Sequence, residues 1–185
     1  MIKSILLIWL LSNFISSFPD QEIDFNPRLL QKEVTSIFGE KAYQMTELPI
    51  GNGSVKDSQV NGKFFSFKIG GDETIIVYVG RVNSCRSGGC SNQSDPGIDL
   101  QYEYFDYFII FDALKKVRVV RVFNYEATHG QEVTIKKWLD QFAGYDGNEP
   151  LRVGREIDSI SGATISVSEI VADIKEKTIL LNNYN

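Results

Sequence analysis

Residues Arg155 to Ile170 read REIDSISGATISVSEI. Asp158, Ser159, Ser161, Gly162, Ala163, Thr164 and Ser166 make this a run of small and polar side chains, and an apolar pattern of helical spacing follows at once. A turn that opens a helix leaves several backbone N–H groups without an internal partner, and the helix dipole adds partial positive charge at the same end. Together these favour a bound anion of phosphate size. Gly162 and Ala163 let a ligand approach the backbone closely, and Thr164 sets a hydroxyl at that point. Ser161 to Thr164, taken alone, also read as a tight turn that caps the last helix.

Cys85 and Cys90 are the only cysteines, in the stretch NSCRSGGCS. Gly88 and Gly89 between them permit a tight reversal. An even count in an exported chain favours a disulfide between Cys85 and Cys90. As a structural staple it closes a small loop and contributes only about 2–3 kcal/mol in the chain-entropy view. A redox-active pair is a second reading, because short strained disulfides reduce more easily. Free thiols or a shared metal remain further readings. His129 is the single histidine. A multi-histidine zinc site is therefore excluded, two cysteines and one histidine would need a distant fourth ligand, and no metal centre is expected. A Ser-His-Asp triad is possible by count, but its nucleophile motif is missing. No G-x-G-x-x-G fingerprint occurs, which argues against direct use of a nicotinamide cofactor.

Asp158, Ser161, Gly162, Ala163 and Thr164 spell D-x-x-S-G-A-T without gaps. This resembles the flavinylation motif of the FMN-binding domain family, which includes flavin-bearing subunits of ion-pumping NADH:quinone and ferredoxin:NAD oxidoreductases and small exported proteins. The resemblance implies that Thr164 carries FMN through a phosphoester. It also implies that a flavin transferase, with FAD as donor, attaches the group outside the cytoplasm. Asp158, Ser161, Gly162 and Ala163 would belong to the same cofactor site. A phosphoester on Thr164 would fall in the anion site read from the turn. The likeness extends upstream to YEATHGQEV, Tyr125 to Val133, where the family has a Glu, Thr and Gly loop expected to border the flavin ring. The order differs here, and His129 stands at a position usually proline-like. Thr128, His129 and Gly130 are the pocket candidates. The likeness covers roughly residues 75–180.

The chain of 185 residues fits one domain plus an extra segment, and a hydrophobic share of 43% with 23% charged is globular. The net charge of −5, with no cluster of Lys and Arg, disfavours nucleic acid as a partner. The N-terminus reads as a signal peptide, residues 1–18: Lys3 is its positive start, Ile5 to Leu11 its apolar centre, and Ser16, Ser17 and Phe18 precede Pro19. The apolar run falls short of the roughly 20 residues that span a bilayer. No cysteine in it offers a lipid site. The expectation is export to a periplasmic or extracytoplasmic space, with membrane contact only if the segment stays uncleaved.

Residues 19–62 are expected to hold a helix and a loop. Leu29, Leu30, Val34, Ile37 and Phe38 have helical spacing, Pro27 suits a helix start, and Gly39 suits its end. A loop rich in Gly, Asn and Ser follows, from Pro49 to Gly62. The segments KFFSFKI, ETIIVYVGRV, EYFDYFIIFD and KVRVVRVFNYEA read as strands, with DALKK as a hairpin turn between the last two. In the last strand Val117, Val119 and Arg121 are expected to oppose Arg118, Val120 and Val122. EVTIKKWLDQFAG reads as a helix with Ile135, Trp138, Leu139 and Phe142 in one stripe, Thr134 as N-cap and Gly144 as stop. Ile170, Val171, Ile174 and Thr178 give the last helix its stripe. The expected class is α+β, an antiparallel sheet with packed helices, and by the resemblance residues 63–183 form an FMN-binding domain.

The functional expectation is an exported flavoprotein that passes electrons between a membrane or extracytoplasmic redox partner and an acceptor. Two alternatives stay open: a flavin-dependent reductase with its own substrate, and a flavin-free module that binds a partner.

Overall fold

The computed structural model describes residues 22–50, 62–70, 73–86 and 102–184. The expected signal peptide, residues 1–18, lies outside the described residues, as does most of the loop expected between Pro49 and Gly62. No helix among the described residues is long and apolar enough to cross a membrane.

The chain builds helix α1 (Arg28–Phe38), then strands β1 (Tyr43–Leu48), β2 (Gly62–Ile69), β3 (Glu73–Arg86), β4 (Tyr102–Phe111) and β5 (Val117–Tyr125). A broken helical segment with α2 (Lys136–Leu139) follows, and the long helix α3 (Thr164–Asn183) ends the fold. The five strands form one sheet in the order β1-β2-β3-β4-β5, and every neighbouring pair is antiparallel. The class is α+β, as the strand and helix patterns predict.

Both faces of the sheet are covered. On one, Leu30, Val34 and Phe38 of α1 pack on Phe65, Phe67 and Ile69 of β2, Ile75, Val77 and Val79 of β3, and Phe108 and Ile110 of β4. On the other, Trp138, Leu139 and Phe142 join Val167, Ile170, Ile174 and Leu181 of α3 over Phe64, Tyr78, Val82, Phe105, Tyr107 and Phe111. This double cover explains why β4 is apolar on both of its alternating sets of side chains. Pro27 precedes α1 in the extended conformation its ring prefers, and Gly39 ends it at φ 79°, donating its N–H to Thr35 at 2.9 Å.

Three expectations change. Tyr43–Leu48 is an edge strand that the residue pattern does not announce. It pairs Tyr43 with Ile69 through to Leu48 with Phe64. In β5 the simple alternation fails, because Val119 pairs with Ile110 while Val117 pairs with Phe111. The extra residue, Arg118, is a β-bulge that turns Val117 to the same face as Val120 and Val122. Residues 132–144 do not form one helix. A 3-10 turn (Gln131–Thr134), α2 and a second 3-10 turn (Asp140–Phe142) replace it. Ile135 is extended at ψ 118° between the first two and is 51% exposed, so the stripe begins at Trp138. Thr134 caps nothing. Gly144, at φ 86°, follows the second 3-10 turn and donates its N–H to Val117 at 2.7 Å, tying the segment to the edge of β5.

Buried charges are paired. Asp106 accepts from Arg81 at 2.7 and 3.1 Å and from Asn124 at 3.0 Å. Arg121 joins Glu33 of α1 at 2.7 Å to Asp140 at 2.9 Å, linking the two layers around the sheet edge. Under α3, Lys177 is 2% exposed and holds Asp173 at 3.1 Å and Glu176 at 2.9 Å. Tyr107 donates its hydroxyl hydrogen to the same Asp173. Burial pulls the Lys177 ammonium toward deprotonation, but the Asp173 and Glu176 carboxylates outweigh it and raise its pKa above the ordinary 10.5. A raised native pKa contributes stability that is complete below the unfolded value and is lost as pH climbs through the native one. The stability advantage of the wild type over Lys177→Met should therefore stay constant up to about pH 9.5 and shrink above about pH 10.5. Paired urea titrations across that range check this, and a constant difference throughout would remove Lys177 from the alkaline limb.

Candidate functional site

The motif read from sequence lies where the chain enters α3. Thr164 is the first helical residue and is exposed. Ala163 occupies the N-cap position with φ −118° and ψ 21°, and no side chain caps the helix. The N–H groups of the first turn are therefore left by the helix itself to solvent or a ligand. Gly162 has φ 83°, and a Cβ there would meet nothing within 4 Å, so the space beside the turn is open. Helical periodicity then separates the side chains. Ala163 and Ser166 turn inward at 3% exposure each, while Ser161, Gly162, Thr164 and Ile165 face out.

The turn is anchored from behind. Trp138 of α2 donates its indole N–H to the Asp158 carbonyl at 2.8 Å, and the Asp158 N–H reaches Gln141 at 2.9 Å. Ile157, fully buried, fixes the preceding residue in the core. Asp158 itself is exposed, on the approach to the turn.

The second predicted segment meets the first. Gly130 has φ 86°, and a Cβ placed on it would lie 2.7 Å from the Ser166 Oγ and 3.4 Å from the Ala163 Cβ. Gly130 therefore touches the start of α3 through its bare backbone, and a side chain cannot enter without displacing Ser166. Thr128 is tied to Glu103 of β4, through its N–H at 3.0 Å and its hydroxyl at 2.5 Å. His129 is exposed, and its carbonyl accepts the Tyr125 hydroxyl at 2.5 Å. Of the three, Gly130 thus lies against the start of α3, at Ala163 and Ser166, while Thr128 and His129 are held by Glu103 and Tyr125.

Residues that the sequence did not single out hold the two segments together. Ser84, near the end of β3, lies 2.7 Å from Ser166, hydroxyl to hydroxyl. Tyr125 stacks on Phe105 with ring centroids 5.5 Å apart. Burial raises the Tyr125 phenol above its ordinary pKa, and the nearby Ser166 and Ser84 hydroxyls partly offset that rise. Ser84, Glu103, Tyr125, Trp138 and Gln141 carry no local signature. Their role depends on partners distant in the chain.

Cys85 lies in β3 and follows Ser84 directly. Cys90, and with it the expected pairing, lies outside the described residues. Among the described residues no group of three or more His, Cys, Asp or Glu is arranged to hold a metal.

The chemistry available is that of an exposed hydroxyl at the positive end of a 20-residue helix. An anion next to Thr164 gains about 0.3–1 kcal/mol from the dipole, in addition to hydrogen bonds from the free N–H groups. The residues present fit a phosphoester at Thr164, because the hydroxyl is reachable and open space borders Gly162.

Gly130→Ala should destabilise the protein by about 1–3 kcal/mol, since it combines a left-handed backbone with a contact too short for a Cβ. Chemical denaturation measures it. A change below about 0.5 kcal/mol, the size of an ordinary surface substitution, would mean that the loop does not press on α3.

Comparison with models of protein families, with curated proteins and with solved structures finds no match to this chain.

Proposed function

We propose that this chain is an exported FMN-binding flavoprotein, with FMN attached through a phosphoester to Thr164, and that it acts in extracytoplasmic electron transfer. The observation that carries the reading is the placement of the D-x-x-S-G-A-T motif at an uncapped helix start, with the Thr164 hydroxyl exposed. Gly130 of the 128–130 loop, which the resemblance expects to border the flavin ring, lies against the start of α3. On this reading the fold is of the FMN-binding domain type.

When bound, the flavin supplies one- and two-electron redox chemistry. The chain's own residues do the rest. Thr164 provides the covalent oxygen, and the first-turn N–H groups of α3 neutralise the phosphate. Gly162 leaves room for it. Trp138 and Gln141 hold the Asp158 backbone, so that its carboxylate stays beside the turn. The signal-like residues 1–18 support export, where a flavin transferase would act on Thr164. Export also supports a disulfide between Cys85 and Cys90.

Intact mass of protein co-produced with a flavin transferase, followed by peptide mapping, tests the reading. The expected result is one added FMN on the Thr164 peptide. Thr164→Ala should abolish that mass while changing stability by no more than about 0.5 kcal/mol, because the side chain is exposed. Asp158→Ala should lower loading without abolishing the fold. An unmodified wild type beside a modified control protein would overturn the proposal and leave the turn as a helix start.

A further inference from the structure

Tyr125 is the last residue of β5, where the sheet gives way to the loop that borders the Thr164 turn. Its hydroxyl lies between that loop and the start of α3. A phenol can donate one hydrogen bond and accept two. Tyr125 donates to the His129 carbonyl at 2.5 Å, and its oxygen and the Ser166 Oγ both flank Gly130, 3.2 and 2.7 Å from where a Cβ there would lie. Ser84 and Ser166 also bond each other at 2.7 Å, with exposures of only 6% and 3%. Removing the phenol oxygen leaves the His129 carbonyl without its donor and opens space beside the Ser84–Ser166 pair. The ring has little freedom to move away, because it stacks on Phe105 at 18°.

We propose that Tyr125 is a positioning residue for the Thr164 site, and that the junction of its hydroxyl with the His129 carbonyl, beside Gly130 and the Ser84–Ser166 pair, holds the 126–130 loop against the start of α3. This rests on the reading of Thr164 as the flavin-attachment residue. Ser166 follows Thr164 by two positions on α3, and Gly130 follows His129 directly. The junction therefore fixes one point on the loop and one on the helix that carries Thr164. Gly130 allows the close approach, since any side chain there would meet the Ser166 and Tyr125 oxygens, at 2.7 and 3.2 Å from a Cβ. The junction acts on the ligand through the loop and the helix.

Tyr125→Phe keeps the ring and its stacking and deletes only the hydroxyl. In unmodified protein, hydrogen exchange of the Thr128 to Gly130 and Thr164 to Ser166 amides should accelerate about tenfold, with the sheet amides unchanged. Transfer of FMN onto Thr164 by a flavin transferase should slow about fivefold to tenfold, in line with loss of one hydrogen bond. Ser84→Ala should reproduce both effects, and Ser84→Thr, which retains the hydroxyl, should restore both. Local exchange and transfer both unchanged in Tyr125→Phe would overturn the proposal. Faster exchange across the whole chain would also overturn it, since that marks general destabilisation. Faster local exchange with normal transfer would overturn the positioning role and leave the attachment reading intact. A wild type that is never modified, beside a control that is, would remove the attachment reading on which the proposal rests, whatever the exchange rates show.

Discussion

The packing of α3 along β3 sets where everything else falls. Val167, Ile170, Ile174 and Leu181 must reach the sheet through one face of a 20-residue helix, so the rotation and height of α3 are fixed together. Two polar contacts fix the same register at its ends. Near the start Ser166 meets Ser84, and further along Lys177 lies over the Tyr78 ring with its ammonium 5.8 Å from the centroid. Both partners are on β3, and both belong to the set of side chains that faces α3. Sliding the helix by one turn would strand Lys177 away from the Tyr78 ring and move Thr164 away from the 128–130 loop. The position of the candidate site is thus a consequence of core packing several turns away.

The same seam explains two glycines in the sheet. Gly62 and Gly80 are paired across β2 and β3. A Cβ on Gly62 would lie 2.5 Å from the Tyr78 hydroxyl oxygen, and one on Gly80 would lie 2.2 Å from it. Their missing side chains make the space that the phenol occupies. Glycine weakens a strand locally, so the arrangement trades strand propensity for a large aromatic side chain under α3. Tyr78 and Tyr107, both fully buried, then pack with ring centroids 5.7 Å apart and form the floor on which Asp173 and Lys177 rest.

What the sequence discloses follows from how local each interaction is. β2, β3 and β4 are dense in β-branched and aromatic residues because both of their faces are covered, α1 shows a clean apolar stripe, and α3 shows one interrupted by Ser166, Lys177 and Thr178. β1 escapes notice because an edge strand with partly exposed side chains, YQMTEL, lacks both signals. The stripe Ile135, Trp138, Leu139 and Phe142 has helical spacing, yet the backbone is extended at Ile135 and turns tightly afterwards. The sheet edge, which takes one hydrogen bond from Gly144 and gives one from Val117 to Tyr145 at 2.8 Å, shapes the segment instead. The bulges in β5 are invisible in sequence, since Arg118 looks like any strand residue. At the candidate site, Asp158 to Thr164 is legible because it is contiguous. Ser84 and Ser166 are 82 positions apart, and a serine near a strand end carries no signal until its partner is known.

Exposure at the helix start bears on the order of events. Ala163 and Ser166 are buried on either side of Thr164, so the seating of α3 fixes which way Thr164 faces. In an unfolded chain Thr164 would be one threonine among several, with no fixed N–H groups beside it. Once α3 is seated, Thr164 becomes the one with the uncapped helix end at its back and Gly162 leaving open space beside it. A catalyst that modifies this hydroxyl would therefore find its distinguishing features only in the folded domain. The segments that create those features are the ones that bury the core, α3 on β3 and Trp138 against Asp158. Folding first and modification second is the sequence of events that this geometry favours.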